Sequence, residues 1–97
     1  MFSTSEYLNI LHNYKNECAE KYGIEQMGIF GSVALGTHRD DSDVDICVKM
    51  KNPDIFILIA MKDDLQLILN RKVDIIRLRE NMNPFLLETI KTTAIYA

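Results

Sequence analysis

From Gly31 to Val48 the chain reads GSVALGTHRDDSDVDICV, with four aspartates inside six residues (Asp40, Asp41, Asp43 and Asp45) just ahead of the apolar Ile46-Cys47-Val48. On a strand, residues two apart point to one face. Asp43 and Asp45 would therefore offer two carboxylates side by side, roughly 6.5 Å apart along the backbone, while Val44 and Ile46 turn into a core. Two ionised carboxylates this close repel each other, and burying either without a partner is costly. A hard divalent cation removes the conflict. Magnesium is typically held by one or two carboxylates together with substrate phosphates, which an Asp-x-Asp pair at a strand edge can provide. A calcium loop would need more oxygen ligands at closer spacing and a glycine in the bend, and residues 40–45 supply neither.

Gly31-Ser32 is the second half of this constellation. Glycine lets the backbone approach a phosphate closely, while the serine hydroxyl and the free N–H groups of a following helix can donate to it. Asp74, a single acid in the apolar run Val73-Asp74-Ile75-Ile76, would lie beside Asp43 and Asp45 in the sheet as a third carboxylate. It would either bridge a metal or accept a proton from an attacking hydroxyl. Three acids would then serve two cations. Taken singly, Asp-x-Asp is an ordinary solvated strand end, Gly-Ser an ordinary turn and Asp74 a salt-bridge partner for Arg71, Lys72 or Arg77. Their joint order along the chain is what speaks for a nucleotide site. Asp40 and Asp41 are expected to set a turn, and His12 and His38, without metal-ligand spacing, to be solvated surface residues.

The elements that must position these groups follow from periodicity. Ser3 and Glu6 have capping-box spacing, and Tyr7, Leu8, Leu11, Tyr14, Cys18 and Tyr22 recur every three or four residues up to Gly23, predicting an amphipathic helix. Gln26–Phe30 reads as a strand entering the Gly-Ser turn, with Ser32 capping a short helix. Asp43–Met50 reads as a second strand, starting at the sheet rim and running into the core. Pro53 and Asp54 suit a first helical turn, continued by Leu58, Met61, Leu65, Ile68 and Leu69. Val73–Ile76 is a third strand. Asn83-Pro84 opens a last helix with Leu86, Leu87, Ile90 and Ala94 on one face. The fold class is α/β (α+β), a small mixed sheet covered by helices, in a single domain over residues 1–97.

Composition narrows the function. A net charge of −3, from 11 basic and 14 acidic residues without a basic run, argues against nucleic acid as the main partner. The longest apolar run, Ile55 to Met61, is seven residues, far below the roughly 20 needed to span a bilayer. The opening MFSTSEYLNI has neither a basic region nor an apolar stretch, so the sequence reads as that of a cytoplasmic protein whose Cys18 and Cys47 are small apolar thiols.

Gly31-Ser32, ten intervening residues and Asp43-Val44-Asp45 resemble the Gly-Ser-x10-Asp-x-Asp signature of the DNA polymerase beta type nucleotidyltransferase superfamily, and Val73-Asp74-Ile75 resembles its third-carboxylate strand. The length, leading helix and short final helix ending Ile95-Tyr96-Ala97 are similar to the minimal nucleotidyltransferase branch. The resemblance implies that Asp43, Asp45 and Asp74 are the catalytic, metal-binding triad for two Mg²⁺ ions. It also implies that Gly31 and Ser32 hold the triphosphate of ATP, and that the chain pairs in a hetero-oligomer with a HEPN-type toxin, whose tyrosine receives AMP. Family members commonly read Gly-Ser-x-Ala-Arg-Gly, whereas this chain has Leu35 in place of the arginine. That departure favours a rival expectation, a binding-only antitoxin that covers its toxin without catalysis. Transfer to a small-molecule antibiotic is a weaker alternative, because such enzymes carry an additional domain.

Overall fold

The computed structural model describes residues 2–97. Along the chain run α1 (Thr4–Tyr22), β1 (Ile24–Phe30), α2 (Ser32–Leu35), β2 (Val44–Met50), α3 (Ile55–Leu69), β3 (Val73–Arg77), α4 (Pro84–Thr93) and β4 (Ile95–Tyr96). The strands form one mixed sheet in the order β3-β2-β1-β4. β1 is antiparallel to β2 and β4, and β2 is parallel to β3 across the α3 crossover. This is the expected class.

Local chemistry sets the helix ends. At α1 the Ser3 hydroxyl accepts from the Glu6 N–H at 3.2 Å while the Glu6 carboxylate accepts from the Ser3 N–H at 3.1 Å, a complete capping box. Gly23 closes the helix with a left-handed φ of 66°. Asn83 caps α4 by accepting from Phe85 and Leu86, with Pro84 in the first turn, as expected. Asp54 behaves differently from the sequence expectation. It stands outside α3 as the cap, accepting from the Phe56 N–H at 2.8 Å, because a short carboxylate satisfies a free donor best from that position.

Two apolar layers flank the sheet. On one face, Tyr7, Leu11 and Tyr14 of α1 and Met61, Leu65 and Leu69 of α3 pack on Met27, Ile29, Val44, Ile46, Val48 and Val73. The Tyr14 hydroxyl ties the two helices by donating to Asp64 at 2.8 Å, and burial together with that carboxylate pushes its pKa well above the ordinary tyrosine value. On the other face, α4 lays Ile90, with Leu86 and Ala94, over Phe30 and Cys47. Both cysteines are free thiols, Cys47 buried and Cys18 half-buried against the core. Among the described residues no helix is long and apolar enough to cross a membrane.

Four expectations are corrected. The final helix ends at Thr93, and Ile95-Tyr96 forms a fourth strand beside Gly28 and Ile29 rather than continuing the helix. Ala94 leaves helical geometry at φ −62°, ψ 137°, which turns the chain back along β1. Ile68 is half-exposed instead of core, because Met61, Leu65 and Leu69 already fill the buried stripe of α3. His38 is no solvated residue: its Nε2 lies 2.8 Å from the Phe2 carbonyl and its ring meets Tyr7 edge-on. Finally, Ser32 is the first residue of α2 rather than its cap; Gly31 holds the cap position, and α2 is a single turn.

Candidate active site

The parallel register between β2 and β3 pairs Val44 with Val73 and Asp45 with Asp74, so the two acids stand abreast on one face of the sheet. β2 starts at Val44, whose N–H donates to the Lys72 carbonyl at 2.9 Å. Asp43 was expected inside the strand and instead lies one residue before it, at the rim where the ladder begins. It remains close enough to act on Asp45. The Asp45 carboxyl is pushed above the ordinary aspartate value by burial first, then by the charges of Asp74 and Asp43. Asp43 and Asp74 are exposed, Asp45 half-buried. Every charge that bears on Asp45 among the described residues is thus of its own sign.

The acid face is opposite to that of Val44 and Ile46, both fully buried among the α1 and α3 residues. That accounts for the abrupt change from acids to apolar residues along this segment: alternate residues serve the rim and the core. Asp40 and Asp41 form the turn that precedes it, closed by the Ser42 N–H donating to the Arg39 carbonyl at 3.1 Å and the Arg39 N–H donating to the Ser42 hydroxyl at 2.8 Å.

The Gly-Ser turn lies directly on the acids. Phe30, the last residue of β1, pairs with Asp45, and Gly31 follows at φ 71°, ψ −145°, a conformation essentially restricted to glycine. A Cβ at Gly31 would fall 2.7 Å from Oδ2 of Asp45. Glycine is therefore needed twice over, for the backbone angle and for the approach of the turn to the carboxylate. Thr93, at the end of α4, joins the site although nothing in the sequence marked it: the Gly31 N–H donates to its hydroxyl at 2.9 Å. Leu35 is 62% exposed on α2, so the position that the motif resemblance assigns to an arginine is open to solvent and not part of the core.

The donor set suits a hard cation in its chemistry: carboxylate oxygens at a charge-rich, half-buried strand end, with charge repulsion that a cation would relieve. Among the described residues no three His, Cys, Asp or Glu side chains converge tightly enough to hold a metal ion by themselves. A groove of about 480 Å³ between α3, β3 and α4, lined by Ile55, Leu58, Ile76, Arg77, Met82 and Leu86 among others, includes none of Asp43, Asp45 and Asp74.

The remaining surface is notable for α3. Its outward residues Ile55, Phe56, Ile59, Leu67 and Ile68 are exposed, as is Phe85 of α4, while Leu86 and Leu87 are half-buried and α1 exposes no large apolar residue.

Residues 11–97 match the sequence profile of the nucleotidyltransferase domain family. A protein of Methanocaldococcus jannaschii, named by inference a protein adenylyltransferase, is 40% identical over 77 residues, covering 78% of this chain and 90% of its own length. The protein adenylyltransferase MntA of Thermococcus cleftensis is 29% identical over 97 residues, covering 99% of this chain and 97% of its own. Among solved structures, one of a protein described as a minimal nucleotidyltransferase superposes with a TM-score of 0.76 at 27% identity, covering 97% of this chain and 95% of that one. A toxin–antitoxin structure with AMP-PNP gives 0.71 at 23% identity, covering 87% and 69% of the two chains. The complex of a tri-AMPylated Shewanella oneidensis HEPN toxin with its MNT antitoxin gives 0.65 at 18% identity, covering 92% and 70%. With a strand-turn-strand unit that sets Gly31 against paired acids and a family match over nearly its whole length, the chain belongs to the nucleotidyltransferase domain family.

Proposed function

We propose that this chain transfers AMP from ATP to a tyrosine hydroxyl of a HEPN-type toxin and thereby acts as the antitoxin of that pair. The observation that carries the reading is the pairing of Asp45 with Asp74 at the sheet rim, near enough to Asp43 to feel its charge, with the Gly31 turn packed on the Asp45 carboxylate. The protein adenylyltransferase relatives, and the structural likeness to antitoxins found with AMP-PNP and with an AMPylated toxin, support it.

In this reading the Ser32 hydroxyl and the backbone of the turn donate to the triphosphate, and Asp43 and Asp45, with Asp74, hold Mg²⁺. Bound there, Mg²⁺ would neutralise charge on the phosphates and favour departure of pyrophosphate. Asp74, being exposed beside Asp45, can take the proton of the acceptor hydroxyl as its oxygen bonds to the α-phosphorus. The bond from that phosphorus to the oxygen bridging to the β-phosphate breaks, and pyrophosphate leaves in line. Asp43 and Asp74 are exposed, so the acceptor reaches them from solvent and brings its own binding surface to the site. A protein does this most simply, and the apolar outward side of α3 is available for contact with one. A cytoplasmic setting, with ATP at hand, goes with the same reading.

Mg·ATP should stabilise the fold. At a hundredfold excess over Kd the gain is about 2.7 kcal/mol, equivalent to a rise on the order of 10 °C in Tm for a chain of this size, and EDTA should cancel it. An unchanged melting curve, with no heat on titration of Mg·ATP, would remove the nucleotide site.

Leu35 is the feature that favours the rival reading, neutralisation by binding alone. A charge-assisted phosphate contact contributes about 1.5–3 kcal/mol. Leu35→Arg, placed on exposed helix surface, should accordingly tighten Mg·ATP binding by roughly tenfold or more. Unchanged affinity would mean that another cation, such as Arg39 in the adjoining loop, already serves the phosphates.

A further inference from the structure

We infer that Thr93 is a positioning residue for the Gly31-Ser32 turn, acting through the backbone of Gly31; the inference rests on the nucleotide-binding reading of that turn. A threonine hydroxyl has one proton to give. Here it goes to the Thr89 carbonyl at 2.6 Å, one helical turn back, which leaves the oxygen's lone pairs to accept the Gly31 N–H at 2.9 Å. The hydroxyl is thereby fixed as an acceptor facing the turn.

The contact joins positions 62 residues apart in sequence, and α4 is well placed to serve as its anchor. Ile90, one turn before Thr93, is buried against Phe30 and Cys47, and Ala94 packs on the same cluster. Beyond Thr93 the chain pairs with β1 at Gly28 and Ile29. Thr93 is thus held from both sides against the strand that delivers Gly31. The consequence falls on the turn. Gly31 has a sparsely populated backbone conformation, which persists only where its surroundings hold it. Farther along the turn, Val33 is buried in the core and its carbonyl accepts from the Thr4 hydroxyl at 2.6 Å; at Gly31 itself the Leu35 N–H on the Gly31 carbonyl is internal to the turn, whereas the bond to Thr93 ties the Gly31 N–H to α4. Without it, the Gly31 N–H loses its partner, and the peptide between Phe30 and Gly31, which leads into the Ser32 hydroxyl beside Asp45, is held less firmly.

The experiment compares Thr93→Val, which keeps the shape and removes the hydroxyl, with Thr93→Ser, which keeps the hydroxyl and removes the methyl. Kd for Mg·ATP is measured by calorimetry well below Tm. The valine variant should bind about tenfold more weakly, about 1.4 kcal/mol, and the serine variant within about threefold of the parent chain. Equal affinities for parent and Thr93→Val would overturn the inference, as would equal weakening by both substitutions, since the hydroxyl would then not be the acting group. If the parent chain itself binds no Mg·ATP, the nucleotide reading fails and this inference with it. Amide hydrogen exchange of Gly31 in the unsubstituted chain is the check that needs no variant to fold. Protection of that N–H is expected, and exchange at the rate of an open-loop amide would refute the assignment.

Discussion

Replacing Asp43 and Asp45 together by asparagine is expected to abolish transfer of AMP to the partner, by about three orders of magnitude or more, while leaving the fold and the partner complex in place. Asparagine preserves shape and one oxygen per side chain but removes both negative charges that would hold the cation. The several kcal/mol of charge stabilisation such an ion gives a phosphoryl transition state are lost with it, at tenfold per ~1.4 kcal/mol. The fold should not suffer. The Asp45 carboxyl is raised by burial and by Asp74 and Asp43, so the folded chain retains a proton that the unfolded chain has already released at the same pH. Stability therefore falls as pH rises from the ordinary carboxylate range through the raised value, and the cost is complete above it. Asparagine at that position removes this cost, and the metal-free double variant should melt at or above the parent temperature at neutral pH. Mass spectrometry of the partner reads AMP addition, and a ribonuclease or growth assay reads neutralisation. Loss of both accords with an enzymatic antitoxin. Full neutralisation by a transfer-dead variant that still forms the complex would leave binding alone as the mechanism.

What could be read from the sequence was what local rules control. The acid-rich segment showed which residues of β2 face the core, because the alternation that buries Val44 and Ile46 turns Asp45 to the opposite face. The caps Ser3 and Asn83 were visible since a cap is satisfied within three residues of itself. The pairing of Asp45 with Asp74 required only that two apolar runs separated by a helix lie parallel and adjacent, the usual outcome of a strand-helix-strand unit.

What stayed hidden depends on contacts distant in sequence. β4 has two residues, too few for an alternating pattern, and exists because Gly28 leaves room for it: a Cβ there would lie 2.6 Å from the Ile95 carbonyl oxygen. In retrospect, a glycine in the middle of the otherwise apolar Met27–Phe30 run was the available sign of a close neighbour. Thr93 gave no sign at all. Its hydroxyl becomes part of the site only once α4 folds back over Phe30 and Cys47, and no periodicity or spacing encodes that register. The exposed face of α3 misled in the opposite direction: Ile68 satisfies a helical stripe on paper but looks outward, because apolar residues on more than one face of a helix do not say which of them meets the sheet.

Gly31→Ala should reduce function far more than it reduces stability, and the separation of the two tests the site geometry directly. Alanine at φ 71°, ψ −145° carries a backbone penalty of about 1–3 kcal/mol, enough to lower Tm by on the order of 10 °C without unfolding the chain at room temperature. Its Cβ would also fall 2.7 Å from Oδ2 of Asp45, closer than such atoms can approach. The obstructing atom is the end of a side chain, not backbone, so the cheaper relief is rotation of the Asp45 carboxylate away from the turn. The fold would survive this movement, but the paired acids would not keep their alignment. Misplacement of a reacting group by about 1 Å can cost a hundredfold, and a loss of transfer of at least that size is expected, together with a weakened thermal response to Mg·ATP. The Asp43→Asn, Asp45→Asn protein supplies the floor for comparison. Should Gly31→Ala remain folded and transfer AMP within about threefold of the parent rate, the packing of Gly31 on Asp45 would have no part in the chemistry, and the triphosphate would have to be held elsewhere on the chain.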